Sequence, residues 1–121
     1  MLTIRNEQMT ALAEQQRYQF EDRLVAHVRR HFREECAALG NEAVCAQVHD
    51  GIARARKHGL GSELDVARFV DVMFGLRPDF DSEPWAAAIL GDKGRLPTER
   101  MDCVCEQAER EAEARRAAEA S

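Results

Sequence analysis

The stretch G-L-G-S-E-L-D-V-A-R-F-V-D-V-M-F-G-L-R-P-D-F-D-S-E-P-W-A-A-A-I-L, from Gly59 to Leu90, decides the fold. It holds the densest apolar run, the sole Trp and two of the three prolines. Ser62 can cap a helix by accepting from an early backbone N–H, and Asp65 can answer it in a weak capping box. The helix that follows, over 63–76, is polar only at Glu63, Asp65, Arg68 and Asp71. Asp65, Arg68 and Asp71 recur every third residue and form one narrow wet stripe. Leu64, Val66, Ala67, Phe69, Val70, Val72, Met73, Phe74 and Leu76 cover the remainder. A helix apolar over most of its circumference is buried among others, so this is the central helix.

Outward from it, the punctuation predicts helices on both sides. Arg77-Pro78 ends the central helix, because the residue before proline avoids helical geometry. Pro84 suits the first turn of a short helix to Leu90, and Phe80 turns inward between them. Upstream, Asn41 is an N-cap for a helix over 42–57, with Val44, Cys45, Val48, Ile52 and Ala55 buried. Cationic Arg54, Arg56, Lys57 and His58 suit its dipole, and Gly59 stops it. Before that, Met9, Leu12, Phe20, Leu24, Val28 and Phe32 mark a long amphipathic first helix. It is either continuous or broken near Gln15–Gln19, where the stripe lapses. A short helix over 33–39 ends at Gly40. Pro97-Thr98-Glu99 opens the last helix, anchored by Met101, Val104 and Cys105. Past Cys105 the tail is Ala, Glu and Arg, either a solvated extension or a helix that needs a partner. The expectation is an all-α bundle of five to six helices over 1–105, with a charged tail at 106–121.

The chain has 121 residues, 45% of them apolar, which is enough for one domain with a core. Its formal charge is −5. The segment 62–83 carries Glu63, Asp65, Asp71, Asp79, Asp81 and Glu83 against Arg68 and Arg77, so it repels phosphate and argues against nucleic acid. The first twenty residues carry charges and no apolar leader, and no apolar run reaches membrane-spanning length. These features place the chain in the cytoplasm, with Cys36, Cys45, Cys103 and Cys105 reduced.

Chemical motifs are sparse. His27 and His31 have the i,i+4 spacing of metal pairs but no third ligand at a recognisable spacing. They carry the minor alternative of a small helical metal protein or enzyme. Cys103 and Cys105 lie about 200° apart on a helix and do not share one ion. Asp79-x-Asp81-x-Glu83 matches the opening of a calcium loop, but Pro84 stands where that loop needs Gly and Leu90 where it needs Glu. The helices joined by H-G-L-G-S lack the basic exposed second helix of a DNA reader. No nucleophile elbow, P-loop or dinucleotide fingerprint occurs. Neither catalytic, metal nor cofactor residues are assigned.

T-I-R-N-E-Q-M-T-A-L at Thr3–Leu12, F-E-D-R-L-V-A-H-V-R at Phe20–Arg29, C-A-A-L-G at Cys36–Gly40 and the run Gly59–Phe74 resemble a family of small helical proteins. P-D-F-D at Pro78–Asp81 and P-W-A-A-A-I-L at Pro84–Leu90 fit it too. That family is encoded in proteobacterial gene clusters for type VI secretion effectors, beside spike proteins and effector chaperones. Arg33 departs from it, standing where a proline is expected, and the loop between Asp81 and Pro84 is shorter. The resemblance implies a non-enzymatic protein-binding accessory, an adaptor or co-chaperone that helps load an effector. It also allows a cognate immunity protein. Immunity proteins against nucleases are often acidic, because they cover basic active sites. Asp65, Asp71, Asp79, Asp81 and Glu83, with Trp85 at the same corner, are the candidate partner-binding residues. The plainer reading, that these acids keep the domain soluble, stands beside it. A homodimer through the first helix is also open.

Overall fold

The computed structural model describes the backbone of residues 6–120 and the side chains of residues 19–120. These contain six α-helices, one 3-10 turn and no strand, so the chain is all-α. The helices are α1 (Asn6–His31), α2 (Arg33–Leu39), α3 (Asn41–Lys57), α4 (Glu63–Gly75), α5 (Pro84–Leu90) and α6 (Pro97–Ala120). The 3-10 turn is Phe80–Ser82. Met9, Leu12 and the residues up to Tyr18 in the expected break near Gln15–Gln19 lie outside the described side chains. Among the described residues no helix is long and apolar enough to cross a membrane.

α4 is the buried centre. Val66, Phe69, Val70 and Met73 are at most 1% exposed, and fully burying each such side chain is worth about 1.5–3 kcal/mol. Ser62 Oγ accepts from the Asp65 N–H at 3.1 Å, the cap the sequence predicts. The reciprocal half of the capping box is absent, because the Asp65 carboxylate is engaged by Thr98 and Arg68 instead. Leu64 is not core: it is 65% exposed. At 100° per residue it falls between Arg68 and Asp71, about 40° from one and 20° from the other, on the polar face.

α3 packs antiparallel on α4 through Val44, Val48, Gly51, Ile52 and Ala55. Gly51 is the close-approach point, since a Cβ there would meet Met73 Sδ at 2.6 Å. Cys45, expected inside, is exposed. It sits one residue off the Val44–Val48–Ile52 stripe and therefore about 100° away. Gly40, not Asn41, caps α3, and Asn41 is the first helical residue. With φ +87, Gly40 turns the chain; its N–H closes α2 on Cys36 O at 3.0 Å and its carbonyl opens α3 by accepting from Val44 N–H. At the other end of α3, Gly59 (φ +86) donates to Arg56 O and Leu60 to Ala55 O, a Schellman stop with Leu60 buried beneath it.

α1 contributes Phe20, Leu24 and Val28 to the core, and the chain bends at Phe32, whose ring stacks on Phe74 at 6.0 Å. The break between α1 and α2 therefore forms without proline at position 33. α6 contributes Met101, Val104 and Ala108. Its helix continues through Cys105 without interruption to Ala120.

Contacts along α4 give the direction of its neighbours. Arg23 meets Glu63, His27 meets Asp71 and Phe32 meets Phe74, so α1 runs parallel to α4. Thr98 meets Asp65, Asp102 meets Arg68 and Arg115 meets Leu76, so α6 does too. α1 and α6 flank the same face of α4, which forms the floor between them.

Candidate protein-binding surface

The structure distributes the six candidate residues over two internal networks and leaves little of their charge free. Asp65 is 2% exposed and lies under α6. Its Oδ2 accepts from Thr98 Oγ1 at 2.8 Å. Asp71 Oδ1 lies 2.8 Å from His27 Nε2. Burial pushes the Asp71 carboxyl up, and the facing His27 offsets only part of that rise. The stripe expected to be wet is thus a seam that joins α4 to both parallel neighbours. Arg68 completes it, bonding Asp102 Oδ1 at 2.6 Å.

The corner after α4 is neutralised by arginines. Arg77 grips Asp79 with Nε and Nη2, at 2.7 and 3.1 Å, and reaches Glu83 Oε1 with Nη1 at 2.9 Å. These bonds hold the Asp79 carboxyl below its usual range. Glu83 also receives the Trp85 indole N–H and Arg115 from α6. Burial would raise the Glu83 carboxyl, but the Trp85 and Arg77 bonds outweigh it and the group ends below its usual range. Asp81 takes Arg54 on one oxygen and His58 Nε2 on the other, the latter at 2.9 Å. Burial, then the cations Arg54, Lys93 and Arg100, push the His58 imidazole below its ordinary value. Phe80 is fully buried, packed on Phe69 at 4.9 Å and Trp85 at 6.3 Å. Of the five acids only Asp79 keeps a mostly exposed carboxylate, at 59%.

The histidine pair adjoins the seam at Asp71. His27 and His31 rings are 4.5 Å apart, and His27 is spent on Asp71. Among the described residues no three His, Cys, Asp or Glu side chains gather to hold a metal ion.

What lies open is a groove of about 240 Å³ between α4 and α6. Val72, Gly75 and Leu76 form one wall, Cys105, Ala108 and Ala112 the other, with Arg68, Asp71 and Glu109 at the rim. Burial pushes the Cys105 thiol up, toward its protonated form. No family model matches the chain, and neither curated proteins nor solved structures yield a match.

The groove was missed in the sequence because its α6 wall is made of small residues in a tail that reads as low-complexity. Its signal is the spacing 105, 108, 112, which is one helical face. Arg115 then ties the tail back to Leu76 O and Glu83.

Proposed function

We propose that this chain is a non-enzymatic, protein-binding accessory, an adaptor or co-chaperone for a type VI secretion effector, acting in the cytoplasm without a cofactor and without binding nucleic acid. The observation that carries the reading is the apolar groove between α4 and α6, left open while the acidic corner after α4 is bonded to Arg54, Arg77 and Arg115. Grooves of this kind take up apolar side chains of a partner helix. The resemblance at Gly59–Phe74 and Pro84–Leu90 supplies the setting. The reading includes a first helix that runs unbroken over Asn6–His31 and extends beyond the start of α4.

An immunity role would ask the acidic corner to meet a basic toxin. Asp81 and Glu83 are already bonded to Arg54, His58, Arg77 and Arg115, which weighs toward the groove as the binding surface. Co-expression with the effector and chaperone of the same gene cluster tests the reading. A complex that survives affinity purification and gel filtration is expected; a protein that elutes alone defeats it.

A further inference from the structure

The geometry points to a specific occupant for the α4–α6 groove: a basic amphipathic helix of the partner protein, seating two bulky apolar side chains one turn apart. This rests on the accessory reading and names what the partner must present.

The first ground is size. The groove holds about 240 Å³, against the roughly 150 Å³ apolar cavity that accepts a benzene ring. It has room for more than one large side chain. Its α6 wall is Cys105, Ala108 and Ala112, which lets a partner backbone come close.

The second ground is Leu64. It is 65% exposed and shares the α4 face with Arg68 and Asp71. Eight residues separate it from Val72, about 12 Å at the helical rise. An apolar residue two turns from the seated pair on the partner covers it. On a helix that spacing takes three turns or more.

The third ground is charge. Asp102, Glu106, Glu109 and Glu113 recur at i, i+4, i+7 and i+11 along α6 beside the groove. Arg68 takes Asp102, and Arg110 approaches Glu106 at 3.8 Å. Glu109 and Glu113, with no ion pair among the described residues, select lysine or arginine on the flank of the occupant. They also disfavour an anionic membrane surface. α1, α4 and α6 run in one direction, so their dipoles favour an antiparallel occupant.

The probe is a labelled synthetic peptide of about five helical turns, with leucines at i, i+4 and i+11 and lysines on one flank. Fluorescence anisotropy with the full chain is expected to saturate. Ala112→Trp fills the groove, and the pair Glu109→Lys with Glu113→Lys reverses the ridge; all three positions are at least partly exposed, so the fold stands. Each variant is expected to weaken binding tenfold or more, and a peptide with glutamates for lysines binds no better than the variants. No saturation with wild-type protein, or equal binding by Ala112→Trp, overturns the inference. The same variant separates this from the broader reading. If wild-type and Ala112→Trp proteins both co-purify with effector or chaperone, the groove assignment falls and the accessory role stands. If the wild-type protein binds the peptide but neither effector nor chaperone, the accessory role falls.

Discussion

The Thr98 hydroxyl donates to Asp65 Oδ2 across 2.8 Å, joining the first turn of α6 to the first turn of α4. Asp65 also offers its backbone N–H to Ser62 Oγ. One buried residue therefore serves both the cap of the central helix and the docking of the last one. Asp65→Ala leaves the Thr98 hydroxyl without this partner and the Arg68 charge less balanced. A loss of about 1.5–3 kcal/mol is expected in urea unfolding, the usual worth of hydrogen bonds to a charged group. Thr98→Val, which removes the donor, is expected to cost less.

Gly51 sets the distance between α3 and α4. Gly51→Ala puts a Cβ 2.6 Å from Met73 Sδ and 3.0 Å from Val70 Cγ2, both buried. Overpacking of about 1–3 kcal/mol outweighs the helix-propensity gain of about 1 kcal/mol, so a net loss is expected. Shortening Met73 in the same chain is expected to recover part of it, giving a non-additive cycle. Gly61→Ala is the control. It meets nothing within 4 Å and has no positive φ, so stability stays level or rises.

Among the described residues Arg100 is the buried cation, 4% exposed. Its Nη1 donates to His58 O at 3.0 Å and Leu90 O at 2.6 Å, the C-terminal ends of α3 and α5. A cation at two helix C-termini satisfies carbonyls that the helices cannot. Arg100→Leu is expected to cost about 2–3 kcal/mol, in line with charged hydrogen bonds. Arg100→Lys should recover only part, because an ammonium lacks the planar fork. Thermal melts of both variants check this.

The pH dependence of stability has two arms. His58, held low by burial and by Arg54, Lys93 and Arg100, binds a proton more readily once unfolded. Unfolding therefore takes up a proton below the ordinary histidine value of about 6.5, and stability falls as pH drops through that window. Asp79 and Glu83 are held low, so their contribution is present above the ordinary carboxylate range and is lost as pH falls through it. Asp71 is held high and acts in the opposite sense, favouring the fold slightly as it protonates. Urea midpoints between pH 7.5 and 5.5 should decline for the wild type and decline less for His58→Gln.

Much of the helical layout was legible because its punctuation is local. Arg77-Pro78, Pro84 and Gly59 act through their own backbone and Ser62 through a side chain that reaches only three residues on, and each marks a real boundary. The outcome at Asn41 differs because Gly40 can take a positive φ and so claims the cap. Polar side chains were harder to read. Asp65, Arg68 and Asp71 have the spacing of a wet stripe, yet Thr98, Asp102 and His27 meet them from helices remote in sequence. Leu64 shows the converse, an apolar residue left outside because its angle belongs to that polar face. The groove was hidden for a related reason: alanines at 108 and 112 look like filler until α4 lies opposite them.

The most direct measurement is light scattering on the protein co-expressed with the effector and chaperone that the proposed function assigns to it. The account predicts a species whose mass is that of the 13.7 kDa chain plus a partner. A species with the mass of this chain alone, or of its own multiples, would contradict it.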